Sequence, residues 1–298
     1  EEVEKADTDK STASYLIPNG TDTYKLLVVG DGDTVGLTKY GADLQGKITE
    51  VWFDPDIETL KGDFIQGTKI QEVSIDGAKS ASADIFYNYI GSMVHFGPQV
   101  ENIVMGQYMS RLKTITVDSD NQSYMAADNA LYTKDGKTLL KVARNNEGVF
   151  KTLTSCETIE ASALCQCNKL TEIILGINVK TLGRRVLEAT NAGSIKVAEG
   201  NPYFKSVDGV LFTADGSQLV FYPTGKEDKT YTIPDGVTRV ADMGIYNNRH
   251  LEELNGPANV MTVSEYGFSD NTALKKLTLQ ADLTGSNAGM MAGSYNLD

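Results

Sequence analysis

Side chains able to do chemistry are few in this chain, and they are scattered. His95 and His250 are the two histidines. No G-x-S-x-G or H-E-x-x-H surrounds either, so neither a nucleophile elbow nor a zinc-protease helix has a motif to rest on. Cys156, Cys165 and Cys167 make no disulfide framework for 298 residues, and CQC lacks the second pair of a structural zinc site. They read as buried or half-buried free thiols. The stretch DGDTVG, Asp31 to Gly36, has the start of a calcium loop, but Val35 and Ala42 stand where two ligands are required. Val35 also replaces the third glycine of a dinucleotide fingerprint. DGDTVG therefore reads as a polar turn between the strands KLLVV and VGLTKY. No catalytic residue, cofactor or metal site is expected.

Charge narrows the partners. With 27 basic against 40 acidic residues the formal net charge is -13, and the resulting field repels phosphate backbones and anionic headgroups. Nucleic acid is excluded as a partner on that ground. No apolar run reaches the roughly 18 residues of a membrane-spanning helix. The opening EEVEKADTDKSTAS has none of the apolar stretch of a secretory signal, and would suit a flexible stalk behind a removed signal or a lipidated cysteine upstream of Glu1.

The elements that position the surface side chains come from a repeat. ITEVWF (from Ile48), IQEVSI (Ile70), LKTITV (Leu112), LTEIIL (Leu170), AGSIKV (Ala192) and LKKLTL (Leu274) share one template, apolar at 0, +3 and +5. LEELNG from Leu251 is a weaker copy. Neighbouring starts at 48 and 70, 170 and 192, and 251 and 274 give the twenty-odd-residue period of a leucine-rich repeat. Weaker rungs fill the longer gaps at SMVHFG, at FKTL and at YTIPDGV. Between rungs a second pattern returns, as in Val237, Val240 and Gly244-Ile245, or Val260, Val263 and Gly267-Phe268. The first coil supplies Leu60 and Asp63-Phe64. These residues are expected to point inward and meet the strand residues in one continuous core.

Two longer gaps hold a duplicated stretch, NQSYMAADNALYTKDG from Asn121 and NPYFKSVDGVLFTADG from Asn201. In both, β-rich runs flank an Asp-Gly pair (Asp135-Gly136, Asp215-Gly216), which predicts an inserted β-hairpin.

On these residues the chain resembles the BspA-like leucine-rich-repeat family. Ile233-Pro234, Val237, Gly267-Phe268 and Cys167, three residues before Leu170, fall on that family's consensus, and N-P-x-F-x-S-x-D-G-V-L-F is similar to its common insertion. The resemblance covers about Lys47 to Gln280. It implies a non-enzymatic binding module of a bacterial surface or secreted protein, engaged in adhesion to or capture of a host protein or glycan.

The expected fold is one right-handed solenoid of about ten rungs, mostly β with short 3₁₀ or turn returns. A flexible tail (1–13) and a β cap (14–46) precede the solenoid (47–280). Hairpin insertions fall near 119–148 and 199–226, and 281–298 forms a tail or cap. If +3 and +5 face the core, +2 and +4 face outward. The open face of the early rungs then carries Glu50, Trp52, Glu72, Ser74, Asp76, His95, Thr114 and Thr116, the candidate ligand-binding residues. An exposed Trp among carboxylates and hydroxyls suits stacking on a sugar or anchoring a basic protein partner. The alternative is that these polar residues solvate a sheet and Trp52 packs under the cap. At the level of function the alternative is a spacer or assembly subunit with no ligand of its own.

Overall fold

A computed structural model describes residues 2–5, 13–30, 42–55, 57, 59–60, 69–81, 86, 89–105, 109, 111–260, 262–280 and 289–294. The DGDTVG turn and the Asp63-Phe64 pair lie outside these residues. The described elements are nearly all strands, with one helical turn, Ala42–Gln45. They build ten rungs of the expected solenoid, four in one compact unit (residues 1–145) and six in a second (146–298).

In the first unit the rungs are Ile48–Phe53, Glu72–Ile75, Met93–Phe96 and Thr114–Val117, paired in parallel. Their register aligns Val51, Val73, Val94 and Ile115. All four are buried, and Phe53, Ile75 and Phe96 form a second buried row. The apolar template at +3 and +5 is thus two columns of one core. The strand Thr23–Val29, expected as part of a cap, continues the ladder: Leu26 lies opposite Val51 and Val28 opposite Phe53. It also pairs antiparallel with Ala13–Gly20. Glu2–Lys5, within the stretch expected as a flexible tail, forms a strand against Ala13–Gly20.

Each insertion contains the expected hairpin, extended by one strand into a three-stranded antiparallel meander. The first contains Tyr124–Ala127, Ala130–Thr133 and Thr138–Val142. The second contains Phe204–Val207, Val210–Thr213 and Gln218–Phe221. The Asp-Gly turns form where expected, fastened by Asp135 accepting from Thr133 and Lys137 and by Asp215 accepting from Thr213 and Ser217. A tighter turn precedes each. Asp128 and Asn129 in one, and Asp208 and Gly209 in the other, all have positive φ, the two-residue type I′ connection.

The earlier turn ends a ladder. In the first unit Asn129 lies beside the last rung, where its side-chain oxygen accepts from Ile115 N–H and its amide donates to the Lys113 carbonyl. In the second unit Gly209 plays the same part, its carbonyl accepting from Ile195 N–H. A Cβ on Gly209 would lie 2.9 Å from Ser194 Oγ, and φ is +79°, so glycine is required twice over.

Consequently the column of rungs in the second unit is not unbroken. Gly148–Lys151, Leu170–Leu175 and Ser194–Val197 form one ladder, with Phe150, Ile173 and Ile195 in register. Thr230–Thr232, Glu253–Gly256 and Lys276–Leu279 form another, with Tyr231, Leu254 and Leu277 in register. The second meander separates them, and its last strand joins the return side by pairing with Arg239–Val240.

Return segments are turns with a ladder of their own. Ser162, Leu164 and Gln166 donate their N–H groups to the carbonyls of Arg184, Val186 and Glu188. Met243, Ile245 and Asn247 do the same to Glu265, Gly267 and Ser269. In these turns the donation runs toward the following coil, whereas the short strands before them donate back, Gly183 to Ile159 and Ser264 to Val240. Left-handed residues recur four apart in each turn, at Ser162 and Gln166, Arg185 and Ala189, Met243 and Asn247, Tyr266 and Asp270. Cys156, Cys165 and Cys167 are buried thiols within these turns and their flanks.

Candidate functional site

The open face of the first unit follows from strand alternation. In Ile48–Phe53 the inward residues are buried while Trp52 is 39% exposed. Register then places Trp52 opposite Ser74, Ser74 opposite His95 and His95 opposite Thr116, a single row across four rungs. A second row runs from Glu50 to Glu72, Met93 and Thr114. Asp76 follows the end of its strand, and its carboxylate accepts from the nearly buried Ser74 hydroxyl at 2.9 Å. All eight candidate residues are therefore brought to one face.

Their polar partners are sparse. His95 Nδ1 lies 2.8 Å from Thr116 Oγ1. Glu50 accepts from the Asn19 amide at 2.7 Å. Glu50 and Glu72 face each other as like charges, a destabilising pair in a sheet unless something neutralises them. Among the described residues no lysine or arginine forms an ion pair with Glu50, Glu72 or Asp76.

The sequence did not bring out Lys25. It sits opposite Glu50 in the preceding strand, and its ammonium lies over the Trp52 ring, 3.1 Å from the centroid. The ring is therefore partly open and holds on one face a cation from Thr23–Val29, a strand of the segment expected as the cap. The available signal was alternation in YKLLVV, which turns Leu26 and Val28 inward and Lys25 outward, as in any rung.

The ladders of the second unit are arranged differently. Lys196 pairs with Glu172 at 2.8 Å, Lys276 with Glu253 at 2.8 Å, and Glu252 sits between Lys275 and Lys229 at 2.7 and 2.9 Å. These carboxylates are neutralised by the neighbouring rung, and Glu252 is held down to about 2 by hydrogen bonds from Lys275 and then Lys229. Among the described residues, Glu50, Glu72 and Asp76 of the first unit have no such counter-charge.

Among the described residues no group of three or more His, Cys, Asp or Glu side chains is placed to share a metal. No described helix is long and apolar enough to cross a membrane.

Residues 148–208 and 220–298 match the family model of the BspA type leucine rich repeat region, in six copies. Three solved structures are similar. A leucine-rich repeat protein from Eubacterium ventriosum is 15% identical, covering 97% of this chain and 75% of that one with a TM-score of 0.49. The pneumococcal vaccine antigen PcpA is 17% identical, covering 94% and 71% with a TM-score of 0.45. A leucine rich cell surface protein from Faecalibacterium prausnitzii is 17% identical, covering 94% and 96% with a TM-score of 0.45. No curated protein matches the chain.

Proposed function

We propose, on the premise that the chain is a BspA-type leucine-rich-repeat protein, that it is a non-enzymatic binding module working at a bacterial cell surface or in secreted form. Its ligand is a partner protein, captured on the strand face of the first unit. Members of such repeat families present extended ladders to other molecules, and the described residues of the repeats supply no constellation of nucleophile, base and oxyanion donors.

One observation carries the reading. Trp52 stands exposed in a row of polar side chains, beside carboxylates that have no cationic partner among the described residues except through what binds there. The Lys25 ammonium already resting on the indole illustrates the chemistry the ring accepts, a cation against a π face with carboxylates nearby. A basic segment of a protein fits this face better than a neutral sugar, since it answers both the ring and the facing Glu50 and Glu72.

The second reading, a spacer or assembly subunit, draws on the second unit, where ion pairs between rungs leave the face self-satisfied. A binding measurement separates the two. Full-length protein is passed over immobilised host-matrix proteins and a synthetic oligolysine peptide at two salt concentrations. Capture that weakens with salt and is lost in Trp52→Ala and Glu72→Ala supports the leading reading. Concentration-dependent oligomers without capture would replace it with the second.

A further inference from the structure

Leu164, Leu187, Ile245 and Phe268 hold equivalent places in four return turns of the second unit. Each is buried and follows a left-handed residue by two positions. Three of them donate N–H to the following coil: Leu164 to Val186 at 3.1 Å, Ile245 to Gly267 at 2.8 Å and Phe268 to Met290 at 2.7 Å. Leu187 N–H has no acceptor among the described residues. Ala189 N–H has none either, although its equivalents Gln166, Asn247 and Asp270 donate to Glu188, Ser269 and Ala292. Backbone donors away from water are almost always paired, and with Leu187 buried and Ala189 half-buried the two unclaimed N–H groups mark a place where something is missing.

The cause is the second meander. After the rung Ser194–Val197 the chain enters Phe204–Val207 instead of laying down another return turn. A cleft of about 460 Å³ opens there, within the range of ligand-binding clefts, with Leu187, Phe204, Val220, Arg239 and Asp242 in its walls. Asp242 Oδ2 accepts from Arg184 Nε at 2.7 Å, and Arg184 Nη2 donates on to Glu265 at 2.6 Å. The other oxygen, Asp242 Oδ1, is buried with no hydrogen-bond partner. Arg239 is exposed and forms no ion pair among the described residues.

We propose that this cleft binds an extended peptide segment of a partner protein, seated where the absent return turn would lie. Leu187 and Ala189 are two residues apart, which matches the alternating carbonyls of an extended chain, and main-chain pairing of this kind is a known mode of peptide capture. The segment's carbonyls accept from Leu187 and Ala189, one of its N–H groups donates to Asp242 Oδ1, and an acidic side chain of it pairs with Arg239. An apolar side chain fills the floor between Phe204 and Val220. This site is separate from the strand face around Trp52 and takes a partner of opposite charge.

The test pans the full-length protein against displayed random decapeptides and measures synthetic versions of the selected ones by calorimetry. Selected peptides should carry Asp or Glu and slow amide exchange at Leu187 and Ala189. Arg239→Glu should weaken them about tenfold or more, the scale of a lost charge-assisted hydrogen bond. Val220→Trp, which fills the cleft, should abolish binding, and Trp52→Ala should leave it unchanged. If Val220→Trp does not fold, Arg239→Glu, on an exposed side chain, decides. The proposal fails if no selected peptide binds, or if binding is indifferent to the cleft variants. It also fails if lactose or cellobiose binds with sensitivity to Arg239→Glu, since the cleft would then belong to sugars.

Discussion

Asn121 and Asn201 open the two copies of the duplicated stretch, and they make the same four hydrogen bonds. The Asn121 amide donates to the carbonyls of Gly97 and Val100, and its oxygen accepts from the N–H groups of Ser123 and Tyr124. Asn201 donates to Gly176 and Val179 and accepts from Tyr203 and Phe204. One side chain ties the end of a rung, the following turn and the start of a meander. Replacing Asn121, which is fully buried, with Ala leaves two carbonyls and two N–H groups unpaired. A loss of about 2–4 kcal/mol is expected in denaturant unfolding. Asn121→Asp should cost comparably, because a carboxylate cannot donate to the Gly97 and Val100 carbonyls. A loss under half a kcal/mol in both variants would show the network to be dispensable.

Trp52 is the chain's single tryptophan, so its contact with Lys25 has a clean optical readout. Lys25→Ala should shift the intrinsic emission while changing stability by no more than about 1 kcal/mol, the value of an exposed cation–π pair. Unchanged emission would mean that the ammonium does not rest on the ring in solution.

Acid should loosen the last ladder in a defined direction. Glu252 titrates at about 2 in the folded chain because Lys275 and Lys229 hold its charged form, whereas in the unfolded chain it returns to the ordinary carboxylate range. The folded state therefore binds this proton less readily. Its contribution to stability is complete above the ordinary range and is lost as pH falls from there toward 2. Glu252→Gln should show a shallower decline in melting temperature across that window than the parent. Parallel declines would remove Glu252 from the account.

Coil stacking is tightest where each rung turns away. A Cβ placed on Gly77 would collide with the backbone of Pro55 in the preceding coil. Gly77→Ala should therefore destabilise the first unit by about 1–3 kcal/mol, as overpacking does. Gly236, with no atom within 4 Å of an added Cβ and no positive φ, is the control and should accept Ala without loss. Equal melting temperatures for the two variants would count against close backbone stacking.

The rungs were legible in the sequence because burial on a strand is a local pattern: Val51 and Phe53 sit inward for the same reason that Val73 and Ile75 do. The Asp135-Gly136 and Asp215-Gly216 turns were legible because that pair carries its own conformational preference. The earlier turns were not. Asp128-Asn129 lacks the glycine cue, and Asp208-Gly209 precedes VLFT so closely that it reads as part of the strand. Lys25 escaped because its strand looks like a cap until register is known. The unclaimed Leu187 N–H was out of reach altogether, since it arises from a coil that the chain does not build, and an absent neighbour leaves no mark on the residues that lack it.

The turns that carry Ile245 and Phe268 donate toward the following coil, so the Phe268 turn needs acceptors beyond it. Phe268, Asp270 and Asn271 meet their acceptors in Met290, Ala292 and the Ser294 hydroxyl. The stretch Gly289–Ser294 thus stands where the return turn of a following coil would, supplying the acceptors that Gly267 and Ser269 supply to the turn before it. Deleting it would leave the Phe268 turn with unpaired donors able to recruit any strand-like segment, including a second copy. Sedimentation of that truncated chain should show polymers where the parent sediments as a smaller species.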